Sequence, residues 1–227
     1  MREFLDGYTG LTWLSGERLR DIGGVAEYGY DKLLMEDFIN EINEWRSNNI
    51  AKYLTYDNLG NYLYNYQLDE NMYFAFDGGE LAGVSVIEGD QELTYANLFR
   101  EHITNVDIGF MDRMNRFMSY DLALKALKRS NEHNNSFMNY IVVNPNRQGR
   151  GIGTRMLRSI TDNMEFFTGN EQDNVLSANV FYSNKASRKM FEKNDFYLLN
   201  TDSMIGGGQV FNANGFVNYF HVNEMEA

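Results

Sequence analysis

Residues 141–157, IVVNPNRQGRGIGTRML, constrain the fold of this chain more than any other stretch. Three branched apolar residues lead into a short polar segment that holds the only proline, Pro145, and the alternating glycines Gly149, Gly151 and Gly153. Helical spacing of apolar residues begins at once, at Ile152, Met156, Leu157, Ile160 and Met164. The pattern predicts a strand, a sharp turn and a helix start in immediate succession. Glycines without Cβ atoms let the backbone turn tightly and let a ligand approach the amides. A helix N-terminus adds unpaired N–H groups and partial positive charge, so the combination suits an anion, most naturally phosphate. Arg147 and Arg150 add formal positive charge there.

The surrounding pattern gives that segment its setting. Leu34, Phe38, Ile42 and Trp45 recur at helical spacing behind Asp31, a suitable N-cap, and predict an amphipathic helix to about Asn48. Residues 1–30 and Tyr53 to Tyr66 carry no clear period. Two aromatic and β-branched runs from Met72 to Gly89 flank Asp77-Gly78-Gly79, which predicts a hairpin. Phe110, Met114, Phe117, Met118, Leu122, Leu124 and Leu127 predict a helical segment, and Ser130 to Asn135 a solvated loop. Phe137–Val143, Asn174–Tyr182, Phe196–Leu199 and Phe216–Val222 read as strands, and Asn184–Lys193 as a helix capped by Asn184. The expected architecture is a single α/β or α+β unit. It comprises an N-terminal helical part (1–70), a core (71–89 and 136–223) and a helical insertion (90–135) between the third and fourth strands.

Composition narrows the function. With no cysteine among 227 residues, disulfides, cysteine metal sites and thiol nucleophiles are excluded, which fits a cytoplasmic location. The opening residues lack an apolar signal core and no run of about 18 apolar residues occurs, so neither secretion nor a membrane partner is expected. The net charge of −12 disfavours nucleic acid and favours a cationic small molecule or a basic protein segment. The Met- and Phe-rich insertion suits packing or a homodimer face better than a cofactor box. No metal is expected.

Two nucleotide motifs fail on the glycine segment. No Lys follows a suitable glycine, as a P-loop needs. The spacing is GxGxG rather than GxGxxG, and Asn144 to Gln148 intervene after the strand, so the dinucleotide fingerprint fails too. Residues 148–153, QGRGIG, instead match [RQ]-x-x-G-x-[GA] behind a strand ending V-x-P (Val143, Pro145). Residues 183–196, SNKASRKMFEKNDF, match N-x-x-A-x-x-x-Y-E-K-x-G-F at Asn184, Glu192, Lys193 and Phe196. In both segments, and in the hairpin before them, the chain from Met72 to Val222 resembles the GCN5-related N-acetyltransferases (GNAT).

That resemblance implies a mixed, mostly antiparallel sheet flanked by helices and splayed between strands 138–143 and 175–181, with acetyl-CoA in the splay. Its pyrophosphate would lie on Gln148, Gly149, Arg150, Gly151, Ile152, Gly153 and Thr154. Its pantetheine arm would run along Ile141, Val142 and Val143, pairing with the main chain of the first and last, with Asn184 either touching the arm, capping its helix, or both. An amide near Val143 would polarise the thioester carbonyl. The implied reaction is attack by an amine, which must lose a proton. Strand 137–143 carries no Asp, Glu or His, so Glu88 and Asp90 are the candidate bases, with Asn139 able to orient a water. His102, His133 and His221 read as ordinary surface or packed residues. The Tyr that commonly protonates the thiolate in this family is replaced by Phe191, leaving Tyr182 as a substitute acid or a packed strand-end residue. Ser187 and Asp195 replace a small Ala and a Gly, and Asp tolerates a left-handed backbone.

Overall fold

The computed structural model describes residues 3–21, 40–45, 48, 71–91, 135–169, 175–181, 183–201 and 216–222. Among the described residues, eight strands form one sheet in the order β1-β2-β3-β4-β5-β6-β8-β7. They are β1 (Glu3–Leu5), β2 (Leu11–Ser15), β3 (Met72–Asp77), β4 (Glu80–Gln91), β5 (Asn135–Val143), β6 (Val175–Phe181), β7 (Tyr197–Thr201) and β8 (Phe216–Val222). Neighbours are antiparallel except β5 and β6, which run parallel. The helices are α1 (Gly16–Asp21), α2 (Ile152–Asp162), α3 (Met164–Thr168) and α4 (Lys185–Glu192). Residues 40–45 are also helical, within the helix expected over 31–48.

Local chemistry sets the turns. Gly78 and Gly79 take φ of +64° and +84°, the double left-handed pair that matches a tight hairpin to strand twist. Between β1 and β2, the Asp6 carboxylate accepts hydrogen bonds from the amides of Tyr8 and Thr9 at 2.9 and 3.2 Å and from the Thr9 hydroxyl at 2.6 Å. Gly10, at φ +70°, closes that turn. Burial opposes the Asp6 charge, but these bonds and one from Ser159 outweigh it and hold the carboxyl below its usual range.

Strand alternation sends side chains into two cores, one on each face of the sheet. Leu11, Trp13, Tyr73, Ala82, Ile87 and Met138 pack with α2, α3 and Phe191 of α4. Leu14, Met72, Phe74, Val84, Val86 and Val142 pack on the other face with Ile42 and Trp45. The Trp13 indole N–H donates to Ser159 Oγ of α2 at 2.8 Å, tying the N-terminal hairpin to the helix that follows the glycine segment.

Strands β3 to β8 and helices α2 and α4 fall where the sequence puts them, within a residue or two. The N-terminal part, expected to be helical over 1–70, also supplies two strands. At three and five residues they are too short to display a period. The expected insertion falls between β4 and β5, the fourth and fifth strands, rather than between the third and fourth, and its interior (92–134) lies outside the described residues.

Two glycines are fixed by close approach. A Cβ on Gly83 of β4 would stand 2.5 Å from the Val142 carbonyl oxygen and 2.6 Å from Met156 Sδ. A Cβ on Gly153 of α2 would stand 2.8 Å from Met190 Sδ and 3.3 Å from Val143 Cγ2. Backbone cannot yield as a thioether can. Gly83→Ala is therefore expected to cost about 1–3 kcal/mol through overpacking, and Gly153→Ala less than about 1 kcal/mol because Met190 can change rotamer. Urea unfolding of both variants checks the ranking, and equal losses would contradict it.

Candidate functional site

The parallel strands β5 and β6 pair over only four residues each, from Asn135↔Val175 to Met138↔Ala178. Beyond Met138 the partnership ends, although β5 stays paired with β4 to Val143 and β6 with β8 to Phe181. The sheet therefore opens as a V between residues 139–143 and 179–181.

A bulge marks the apex. Val86 faces Tyr140, but Ile87 faces Met138, so Asn139 is one residue too many in β5. Side-chain direction agrees. Met138, Ile141 and Val143 pack on the core under α2, whereas Tyr140 and Val142 pack on the opposite one. The Asn139 side-chain amide donates to the Glu88 carboxylate, joining two of the expected catalytic residues at the point where the V opens. Glu88 is half-buried and follows Ile87, so alternation directs it to the face away from α2.

The ladder also shows which main-chain groups reach the opening. The amide of Asn144 donates to Ala82 O at 2.9 Å. Antiparallel pairing then turns the main chain of Tyr140 and Val142 toward β4 and that of Ile141 and Val143 toward the V. Of the three residues expected along a pantetheine arm, Val142 thus faces away with both main chain and side chain.

Beyond β5, Asn144 caps a 3-10 turn at Pro145–Arg147, its Oδ1 accepting from the Asn146 amide at 3.0 Å. Gly149 and Gly151 both take φ +77°, and a Cβ at either would meet nothing within 4 Å. Space is therefore open beside both glycines. Gly151 caps α2 without a side-chain hydrogen bond, so the amides of Ile152, Gly153 and Thr154 open the helix with no side-chain acceptor from the cap. The Gln148 side chain folds back and donates to Val143 O at 3.3 Å. These features fit a pyrophosphate held by backbone amides. The Ile152 side chain is buried, so that residue would contribute through its amide.

Arg147 departs from its expected role as a phosphate cation. Its Nη2 lies 2.7 Å from Asp77 Oδ2, and its Nη1 donates to the carbonyls of Asp77 and Glu80 at 3.2 and 3.3 Å. Arg155 Nη2 donates to Asp77 Oδ1 at 3.0 Å, and its Nε and Nη2 donate to Thr9 O at 3.0 and 2.6 Å. Arg150 is the exposed arginine of the loop. The hydrogen bond from Arg155, aided by the charges of Arg155 and Arg147, outweighs burial and holds the Asp77 carboxyl below its usual range. Sequence reasoning read Asp77 only as a turn residue, and no local signal links it to partners 70 and 78 residues away.

Asn184 caps α4, accepting from the Ser187 amide at 3.0 Å. Phe191 is buried, with its ring 4.8 Å from Phe196 and 5.6 Å from Tyr219. Burial above all pushes the Tyr219 hydroxyl up to about 12, and it donates to Glu192 Oε1 at 2.9 Å. Asp195 takes φ +58°, the left-handed geometry expected of it. His221 contacts Asp195 O through Nδ1 at 3.2 Å and packs beside Phe196. Tyr182, His102, His133 and the Asp90 side chain lie outside the described residues. Among the described residues no cluster of His, Asp and Glu could hold a metal, and no helix is long and apolar enough to cross a membrane.

Comparison with known proteins gives the family. The profile of the acetyltransferase (GNAT) family matches residues 35–196. No curated protein matches the chain. Similar solved structures include a GNAT-family acetyltransferase from Streptococcus agalactiae, 12% identical with a TM-score of 0.48, covering 95% of this chain and 97% of that one. A GNAT-family acetyltransferase from Listeria monocytogenes is 13% identical with a TM-score of 0.47, covering 97% and 99%. An acetyltransferase from Bacillus subtilis, solved with CoA, is 13% identical with a TM-score of 0.40, covering 75% and 85%.

The lowered Asp77 pKa sets a pH dependence. A carboxylate depressed by folding contributes stability that is present above its unfolded pKa of about 3.9 and lost as pH falls through the folded value. Asp77→Asn should therefore cost about 1–3 kcal/mol at pH 7, with the gap to wild type closing below about pH 4. Thermal melts from pH 7 to pH 2.5 check this, and a gap that persists undiminished at the acid end would count against it.

Proposed function

Because the chain belongs to the GNAT acetyltransferase family, we propose that it is an acetyl-CoA-dependent N-acetyltransferase acting on a primary amine of a small cationic molecule or a basic protein segment. The observation that carries this reading is the V between β5 and β6, ending at a glycine loop and a helix start that has no side-chain cap.

Acetyl-CoA supplies an activated acyl thioester. The protein's own groups do the rest. Amides of the loop and of the first turn of α2 hold the pyrophosphate. The outward main chain of Ile141 and Val143 pairs with the pantetheine arm as an added strand edge. An amide there donates to the thioester oxygen, where negative charge develops. Glu88 receives the proton of the amine, directly or through one water, while Asn139 fixes the orientation of its carboxylate. Its place on the face away from α2 supports entry of the amine from the side opposite the phosphate loop. A carboxylate at the apex and a net charge of −12 both favour a cationic acceptor.

Phe191 motivates a second reading, a non-catalytic acetyl-CoA-binding or interaction protein. Its ring cannot donate a proton to a departing thiolate. That acid adds about 10²–10⁴-fold, so without it turnover is slowed rather than abolished unless another donor such as Tyr182 serves. Binding of acetyl-CoA with no turnover of any amine, in wild type and in Phe191→Tyr alike, would favour this second reading.

Three measurements test the main reading. Acetyl-CoA at 100 times its Kd should raise stability by about 2.7 kcal/mol, and Gly151→Glu, which puts bulk and negative charge in the cradle, should abolish the thermal shift. No shift of the wild type at millimolar acetyl-CoA would falsify the assignment. Against a panel of amines, cations should be preferred and rates should fall with salt. Glu88→Gln should lower kcat about 10²–10⁴-fold while leaving acetyl-CoA affinity intact. An unchanged kcat would remove Glu88 from the chemistry.

A further inference from the structure

We propose that Asp77, at the tip of the β3–β4 hairpin, is a positioning residue for the glycine loop, its carboxylate clasping one arginine on each side and so holding residues 148–153 in the shape that receives pyrophosphate. The inference rests on the acetyl-CoA reading above and names a residue outside both family motifs.

The loop has little of its own to hold it. Residues 148–151 are exposed, two of them are left-handed glycines, and a Cβ on either glycine would meet nothing within 4 Å. Glycine also loses the most backbone freedom on being ordered. The shape of the loop is therefore set at its ends.

On the strand side the tether runs to the hairpin. Asn144 donates from its amide to Ala82 O at 2.9 Å and from its side chain to Leu81 O at 3.0 Å. Arg147 then reaches Asp77 Oδ2 at 2.7 Å. On the helix side, Arg155 lies one turn into α2 and reaches the other oxygen, Asp77 Oδ1, at 3.0 Å. One carboxylate, half-buried, thus spans the two ends of the loop, with each oxygen serving one guanidinium. Remove its charge and the two arginines lose their shared counterion and repel each other, Arg147 keeping only a longer contact of 3.6 Å to the exposed Glu80 carboxylate. Preorganisation of this kind lowers the cost of binding without adding a contact to the ligand.

The proposal makes a prediction opposite in sign to bulk electrostatics. Removing a negative charge beside an anion site should tighten anion binding if average field alone decides. If the clasp decides, Asp77→Asn should weaken it. The experiment is calorimetric titration of acetyl-CoA into wild type, Asp77→Asn, Arg147→Met and the double variant, with steady-state kinetics on each and a melt to establish that each is folded. Asp77→Asn and Arg147→Met should each raise Kd and KM for acetyl-CoA about tenfold, with kcat and the amine KM within about twofold of wild type. The double variant should be much less than a hundredfold worse, since both changes break the same clasp. Asp162→Asn, which breaks an exposed pair with Arg158 on the same helix, should leave Kd unchanged or slightly lower. Tightened or unchanged acetyl-CoA binding in Asp77→Asn would overturn the proposal and leave the cluster a stability element only. Failure of wild type itself to bind would remove the acetyl-CoA reading, and the clasp's role with it.

Discussion

The structure turns on the incomplete pairing of two parallel strands. Had β5 and β6 paired along their full length, the sheet would be closed and the backbone of residues 139–143 spent on a neighbour. Instead the ladder stops after Met138↔Ala178. The extra residue Asn139 falls at that point and flips the alternation of every side chain after it. Three consequences meet there. Main-chain groups of Ile141 and Val143 face an opening, the Glu88 carboxylate is gripped by the bulged residue, and the chain leaves β5 toward the glycine loop on the α2 side. The same irregularity therefore sets where a ligand can lie and from which face a second one can approach.

Hydrogen-bond demand makes that opening consequential. Strand edges seek partners, and an extended ligand arm can supply them. Around the opening the cations are unequally available. Arg147 and Arg155 are occupied by Asp77, while Arg150 stands exposed on the loop. In a chain of net charge −12, backbone amides at a helix start are the groups best placed to receive a phosphate without competition from neighbouring carboxylates.

Much of this was legible in the sequence because it is local. Alternation and an Asp-Gly-Gly turn located β3 and β4. Alternating glycines before a helical period located the loop and α2, and Asn184 announced the start of α4. The N-terminal hairpin was not legible, since three- and five-residue strands around a Tyr-Thr-Gly turn carry too few repeats to separate a period from chance. Nor was the Asp77 clasp, because its partners are joined only by the fold. Arg147 illustrates the limit well. A cation beside a glycine loop reads as a phosphate ligand, until the hairpin brings a carboxylate within 2.7 Å of it. Val142 illustrates another, for strand membership is readable but the face each residue presents depends on a bulge whose register only the paired strand reveals.

The two cores have an optical consequence. The chain holds two tryptophans, and the sheet lies between them. Trp13 is wholly buried on the α2 face, its indole N–H fixed to Ser159 and its ring set edge-on to Phe167 at 4.9 Å. Trp45 is buried in the opposite core with Ile42. Indole fluorescence therefore samples both faces of the sheet, and replacing either tryptophan with phenylalanine leaves a single indole that watches one core alone. The molecule carries its own pair of probes for asking whether the two sides of the sheet loosen together or in turn.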